Sequence, residues 1–185
     1  MSTKSTRALK SGGAASATVN AVRGAAKSTP RKAAAESATA ASASTPNNTY
    51  DTLIVGAGFG GLGSAIKLKE AGLSNFVVLE RAADVGGTWR DNQYPGAACD
   101  VPSHLYSFSF APNTQWSRKF AMQDEIRGYI RRCTDQFGVT PRLRLGREVA
   151  EARFDETAGT WTVTTTGGET YVARALITAT GQLNR

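Results

Sequence analysis

The segment Gly56-Ala57-Gly58-Phe59-Gly60-Gly61 sets glycines in the spacing G-x-G-x-x-G, and an acid, Glu80, lies 24 residues beyond the first of them. The chemistry open to this set is the capture of a dinucleotide. The first glycine permits a tight turn, the second lets bare backbone approach a pyrophosphate, and the third lets a helix pack closely on a strand. A helix that starts there turns free N–H groups and the positive end of its dipole toward the phosphates. A carboxylate at Glu80 accepts hydrogen bonds from both hydroxyls of an adenosine ribose and repels a 2′-phosphate, so this site is expected to refuse NADP. The fingerprint alone is weak. Its alternative is a Gly-rich turn in an α/β protein with no ligand, and the fingerprint does not say which dinucleotide binds.

The flanking elements are the ones such a turn needs. Leu53-Ile54-Val55 is a short apolar run ending in glycine, as expected of a buried parallel strand. Gly58 to Ala71 reads as a helix with Leu62, Ala65 and Ile66 on one face and Gly72 as its stop. Phe76-Val77-Val78-Leu79 is a second buried strand, which completes a βαβ unit with a right-handed crossover. Residues 81–122 have little periodicity but many aromatics, and a stretch of that length inside a compact domain points to function. A helix is expected over Gln123–Phe137, with Ile126, Tyr129, Ile130 and Cys133 on its apolar face. Three alternating strands follow, Val149–Phe154, Trp161–Thr164 and Thr170–Ala173, and then a separate apolar strand, Ala175–Thr178. The fold class expected is α/β, a parallel sheet carrying a three-stranded β-meander.

Composition narrows the remaining classes. Residues 1–49 hold seven Lys/Arg against one acid, Glu36, which is +6 of the chain's +7 and leaves +1 for residues 50–185. The basic balance therefore belongs to a tail rich in Ala, Ser and Thr, expected to be disordered because it has little apolar surface to bury. An organelle transit peptide and a nonspecific polyanion arm around Thr29-Pro30-Arg31-Lys32 are the alternatives. Cys99 and Cys133 are the only cysteines and His104 the only histidine, too few for a zinc site. Free thiols suit a reducing, cytoplasmic setting, with organelle targeting by the tail as the other reading. No apolar run approaches the roughly 18 residues of a membrane span, and no specific nucleic-acid partner is implied.

From Val85-Gly86-Gly87-Thr88-Trp89 onward the chain resembles the class B flavoprotein monooxygenases, most closely the Baeyer–Villiger branch. The likeness runs through Asn92-Gln93-Tyr94-Pro95-Gly96-Ala97-Ala98-Cys99-Asp100 and Ser103–Phe110 to the closing Ala179-Thr180-Gly181-Gln182-Leu183. It spans about residues 50–185. The resemblance implies a Rossmann-like FAD/NAD(P)-binding domain with FAD as its cofactor and NADPH as the reductant of the longer enzyme. The substrates it implies are a small ketone or sulfide together with O₂. It implies that Gly87, Thr88 and Trp89 lie along the flavin, that Tyr106 contacts FAD, that Val149 pairs by backbone with the adenine, and that Asp100 is a catalytic residue beside the isoalloxazine, near where NADPH and the peroxyflavin meet. Gly56, Gly58, Phe59, Gly60, Gly61, Glu80, Ala98, Cys99 and Gly181 complete the expected cofactor set.

Flavin chemistry with O₂ needs a water-poor pocket, which an aromatic loop can wall. For Asp100 the plainer reading is a turn-capping acid. His104 is expected to be a packed or surface histidine, and Cys99 an unreactive thiol. Ala98 departs from the family, which often has Arg there. The family's second glycine fingerprint and the branch signature between the two are absent from the sequence. The expectation is of a domain cut before the NADPH-binding region, inactive in oxygenation by itself. The rivals are another two-dinucleotide flavoprotein and a nonfunctional flavin-binding module.

Overall fold

A computed structural model describes residues 48–182. The tail expected over residues 1–49 falls outside them except for Asn48 and Thr49, and Thr49 already belongs to the first strand, β1 (Thr49–Val55). Asn48 is tied down as well, its carbonyl accepting from Val172 N at 2.8 Å.

β1 leads through the glycine turn into α1 (Phe59–Glu70), then β2 (Phe76–Glu80). Every residue of β2 is buried, as a continuous apolar run covered on both faces requires. A short helix, α2 (Thr88–Asp91), and a 3₁₀ turn at Ser103–Leu105 interrupt the stretch that lacks periodicity. Neither was expected, since four and three residues are too few to show a period. α3 (Gln123–Gln136) buries Ile126, Tyr129, Ile130 and Cys133 as predicted. Next come β3 (Leu143–Leu145), β4 (Val149–Asp155), β5 (Thr160–Thr165) and β6 (Thr170–Thr178).

Two expectations need correction. The meander's third strand and the following apolar strand are one element, β6, which pairs antiparallel with β5 through Thr170–Ala173 and parallel with β1 over most of its length, through Ile177 and Thr178. Arg174 between the two runs is exposed but does not break the extended backbone, so a polar residue there marks a change of partner rather than an end. The brief strand β3, parallel to β2, was also missed, because Leu143-Arg144-Leu145 is short and carries a charge.

The sheet order is β3-β2-β1-β6-β5-β4, with β1, β2, β3 and β6 parallel. On one face Ile54 and Val78 pack with Leu62, Ala65 and Ile66 of α1 and Ile126, Tyr129 and Ile130 of α3. On the other, Leu53, Val77 and Leu79 gather with Val163, Tyr171 and Ala173. Arg147 N donates to Glu80 O at 2.8 Å, which sets the approach to β4 beside the end of β2 although β4 occupies the far edge of the sheet. The meander therefore folds back over β1 and β2. The sequence-adjacent strand β2 and the late strand β6 flank β1, so the order reverses at β1, where α/β sheets open a crevice beyond their strand ends.

Candidate functional site

The crevice is built from the glycine turn. Gly56 leaves β1 at φ +100°, and a Cβ on it would lie 2.4 Å from the Ala179 carbonyl oxygen. A Cβ on Gly61 would lie 1.8 Å from the Gly56 carbonyl oxygen, so the third glycine is demanded by helix-on-strand contact. Gly58 differs. A Cβ there meets nothing nearer than the Gly87 Cα at 3.6 Å, an ordinary contact. The protein's own packing leaves room for a Cβ at Gly58. Gly58 offers no side-chain cap to α1, and the first turn of α1 holds no acid. The helix's own first turn thus supplies no side-chain cap and no anion, and the carboxylate nearest its positive end is that of Glu80, which accepts from Ala57 N.

A cavity of about 570 Å³ opens at this point, within the span of roughly 300–1,000 Å³ usual for small-molecule sites. Eleven of the expected residues line it: Gly56, Gly58, Phe59, Gly60, Glu80, Gly87, Thr88, Trp89, Tyr106, Val149 and Gly181. Gly61 sits behind the wall, buried against Gly56. Ala98, Cys99 and Asp100 are not brought to the lining. Cys99 is buried with its N–H on Ala121 O at 2.9 Å, and Ala98 bridges Met122 at the surface. Asp100 is exposed. Burial pushes the Tyr106 phenol above its ordinary value, against the lowering effect of its hydrogen bond with Trp89. His104 is exposed. Arg81, Arg90 and Arg147 line the cavity and were missed. No spacing rule marks them; a charged residue outside a motif reads as a solvated one until its neighbours are known.

Glu80 is 5% exposed, and its carboxylate is already gripped by the protein. Oε2 accepts from Ala57 N at 2.8 Å; Oε1 accepts from Ala82 N at 2.9 Å and Arg90 Nη1 at 3.0 Å. A carboxylate offers about four acceptor positions, so one remains for a ligand, where accepting from both hydroxyls of a ribose would need two. Burial works against the charge of Arg90, but hydrogen bonding to Asp91 and the charges of Glu80 and Asp91 outweigh it and hold the guanidinium above its ordinary value.

An aromatic wall extends from Phe59 of the glycine turn itself. Trp89 Nε1 donates to the Tyr106 hydroxyl at 2.9 Å, and the two rings meet edge-on with centroids 5.6 Å apart. Phe59 stacks edge-on to Tyr106 at 5.3 Å and to Phe108 at 5.0 Å. Tyr129 fastens this loop to α3: its hydroxyl accepts from Phe108 N and donates to Ala111 O, both at 2.8 Å. Burial raises the Tyr129 phenol far above its ordinary value, so it stays protonated and keeps both bonds.

Residues 54–122 match the NAD(P)-binding Rossmann-like domain family. A Baeyer–Villiger monooxygenase of Streptomyces coelicolor is 53% identical over 131 residues, 71% of this chain and 25% of that protein. Among solved structures, an oxidized steroid monooxygenase bound to NADP superposes with a TM-score of 0.71 at 40% identity, covering 74% of this chain and 27% of the other. OTEMO in complex with FAD and NADP superposes with a TM-score of 0.69 at 35% identity, covering 73% and 26%. The chain spans about a quarter of the length of the curated relatives it matches. Its fold, its glycine turn and these likenesses agree, and over the matched residues the chain is homologous to the Rossmann-like part of the Baeyer–Villiger monooxygenases.

Proposed function

We propose that residues 48–182 bind FAD. The pyrophosphate rests on the Gly56–Gly61 turn, the adenosine ribose meets Glu80, the adenine lies by Val149, and the isoalloxazine runs along Gly87, Thr88, Trp89 and Tyr106. Gly181 closes the wall on the β6 side. The observation that carries this reading is the first turn of α1, with no side-chain cap and no acid of its own, opening on the cavity behind a glycine at which the protein's own packing leaves room for a Cβ. FAD, when bound, supplies the two-electron redox chemistry. The chain's residues bind it, orient it and keep water from one side with the Phe59–Tyr106–Trp89 wall.

For a protein of the relatives' length, the reaction proposed is NADPH-dependent insertion of one atom of O₂ into a ketone, or oxidation of a sulfide. Asp100 is exposed, and its carboxylate supplies a charge to orient a cationic partner arriving from outside this domain. Ala98 leaves no arginine to share that role. The test is to purify the chain with saturating FAD, remove free flavin and record the visible spectrum. One flavin per chain is expected, and colourless protein would overturn the reading. NADPH oxidation coupled to oxygenated product, in a form of the relatives' length, tests the reaction.

A further inference from the structure

We propose that Arg90 is a positioning residue for adenosine recognition: it sets the Glu80 carboxylate against the ribose and locks it to the Gly86–Trp89 turn. The inference rests on the FAD reading above, in which Glu80 meets the ribose. Arg90 is a charged side chain only 9% exposed, and all three of its nitrogens are committed. Nη1 reaches Glu80 Oε1 at 3.0 Å and Asp84 O at 2.7 Å. Nε and Nη2 grip the Asp91 carboxylate with two prongs, at 2.7 and 3.1 Å. A guanidinium held on three sides is a rigid donor, unlike a flexible ammonium.

The backbone makes room for it. A Cβ on Gly86 would fall 3.1 Å from the Arg90 Cβ, and Gly86 has φ +126°, so this glycine serves the arginine as well as the turn. The other oxygen of Glu80 accepts from Ala57 N, inside the phosphate turn. One carboxylate thus joins the phosphate turn, the ribose position and the flavin loop, and Arg90 is the only side chain given a bond to it among the described residues. Without Arg90, Oε1 keeps one backbone bond and the buried charge loses its partner, so the acid is free to rotate away from the ribose.

The test titrates the full chain with ADP and with 2′-deoxy-ADP by calorimetry. The unmodified chain is expected to prefer ADP by about tenfold, the value of one hydrogen bond to a charged group. Glu80→Gln is expected to reduce that preference to about twofold. Arg90→Met, which keeps bulk and removes the fork, is expected to reduce it equally, and the double variant to add nothing further. Arg90→Lys, which keeps a cation but cannot serve all the partners, should fall between. A preference that survives Glu80→Gln, or is missing from the unmodified chain, would sink the ribose reading itself. A preference lost in Glu80→Gln but intact in Arg90→Met and Arg90→Lys would overturn the role of Arg90 alone. Near-UV dichroism and melting of each variant separate this from misfolding. If Arg90→Met does not fold, Arg90→Lys decides: an unchanged preference overturns the proposal, and a partial loss supports it.

Discussion

A methyl group added at Gly61 would sit 1.8 Å from the Gly56 carbonyl oxygen, whereas one added at Gly58 would meet nothing nearer than 3.6 Å. The same motif therefore contains a glycine that packing demands and one that only the proposed FAD would demand, and substitution should tell them apart. Gly61→Ala must push α1 off β1 and is expected to cost about 2 kcal/mol or more, read as a lowered midpoint in chemical denaturation. Gly58→Glu is expected to keep its far-UV dichroism and melting point but to purify without flavin, because its carboxylate fills and repels the phosphate position. Stoichiometric yellow Gly58→Glu protein would show that the cradle is misassigned.

Among the elements, α3 carries the aromatic loop, and two ion-bearing contacts fix it. Asp84, just before the Gly86–Trp89 turn, takes Arg127 Nη2 at 2.8 Å and Arg131 on the same oxygen. Burial raises the Asp84 carboxyl, but the hydrogen bonds from Arg131 and Arg127 outweigh it and hold it below the ordinary carboxylate value. A carboxyl lowered in the folded state contributes fully above its unfolded value and loses that contribution as pH falls through the folded one. Asp84→Asn is accordingly expected to cost up to about 1 kcal/mol near neutral pH, since these side chains are partly exposed and screened. The gap between variant and parent should close below about pH 4, as urea titrations at both ends of that range would show. At the other end of α3, Lys69 of α1 donates to Phe137 O at 2.7 Å and Gly138 O at 3.1 Å. A cation at a helix C-terminus stabilises the dipole, and Lys69→Met is expected to lose roughly 0.5 kcal/mol in denaturation, with FAD affinity unchanged.

For the whole molecule, the cavity is walled by segments from Val55 to Gln182, so a ligand inside it bridges nearly the full length of the domain. A bridging ligand that binds only the folded state must raise its stability by mass action. At about 100 times its dissociation constant, FAD is expected to add about 2.7 kcal/mol, several degrees in the thermal midpoint. Gly58→Glu should show no such rise under the same conditions. A parent protein whose midpoint ignores FAD would place the flavin site elsewhere. Among the described residues no helix is long and apolar enough to cross a membrane.

The phosphate turn, its two flanking strands, α1 and the apolar face of α3 were all legible in the sequence. Each is decided within a few consecutive residues, where the glycine spacing or the apolar period is itself the physical cause. The partnership of β6 with both β5 and β1 was not legible, because Arg174 interrupts the apolar pattern while hydrogen bonds from two neighbouring strands keep the backbone extended. Nor were Arg90, Arg81 and Arg147 as residues of the cavity. Arg90 is buried because Glu80, Asp91 and the Asp84 carbonyl converge on it, and α2 and the end of β2 meet only in the folded chain. Asp100 was named from its place in a motif, and the fold holds its neighbours against Ala121 and Met122 and leaves Asp100 itself exposed, away from the cavity lining. Spacing determines local geometry because backbone dihedrals are local. Which charge faces which cavity depends on contacts between residues far apart in the chain, and only the tertiary structure decides those.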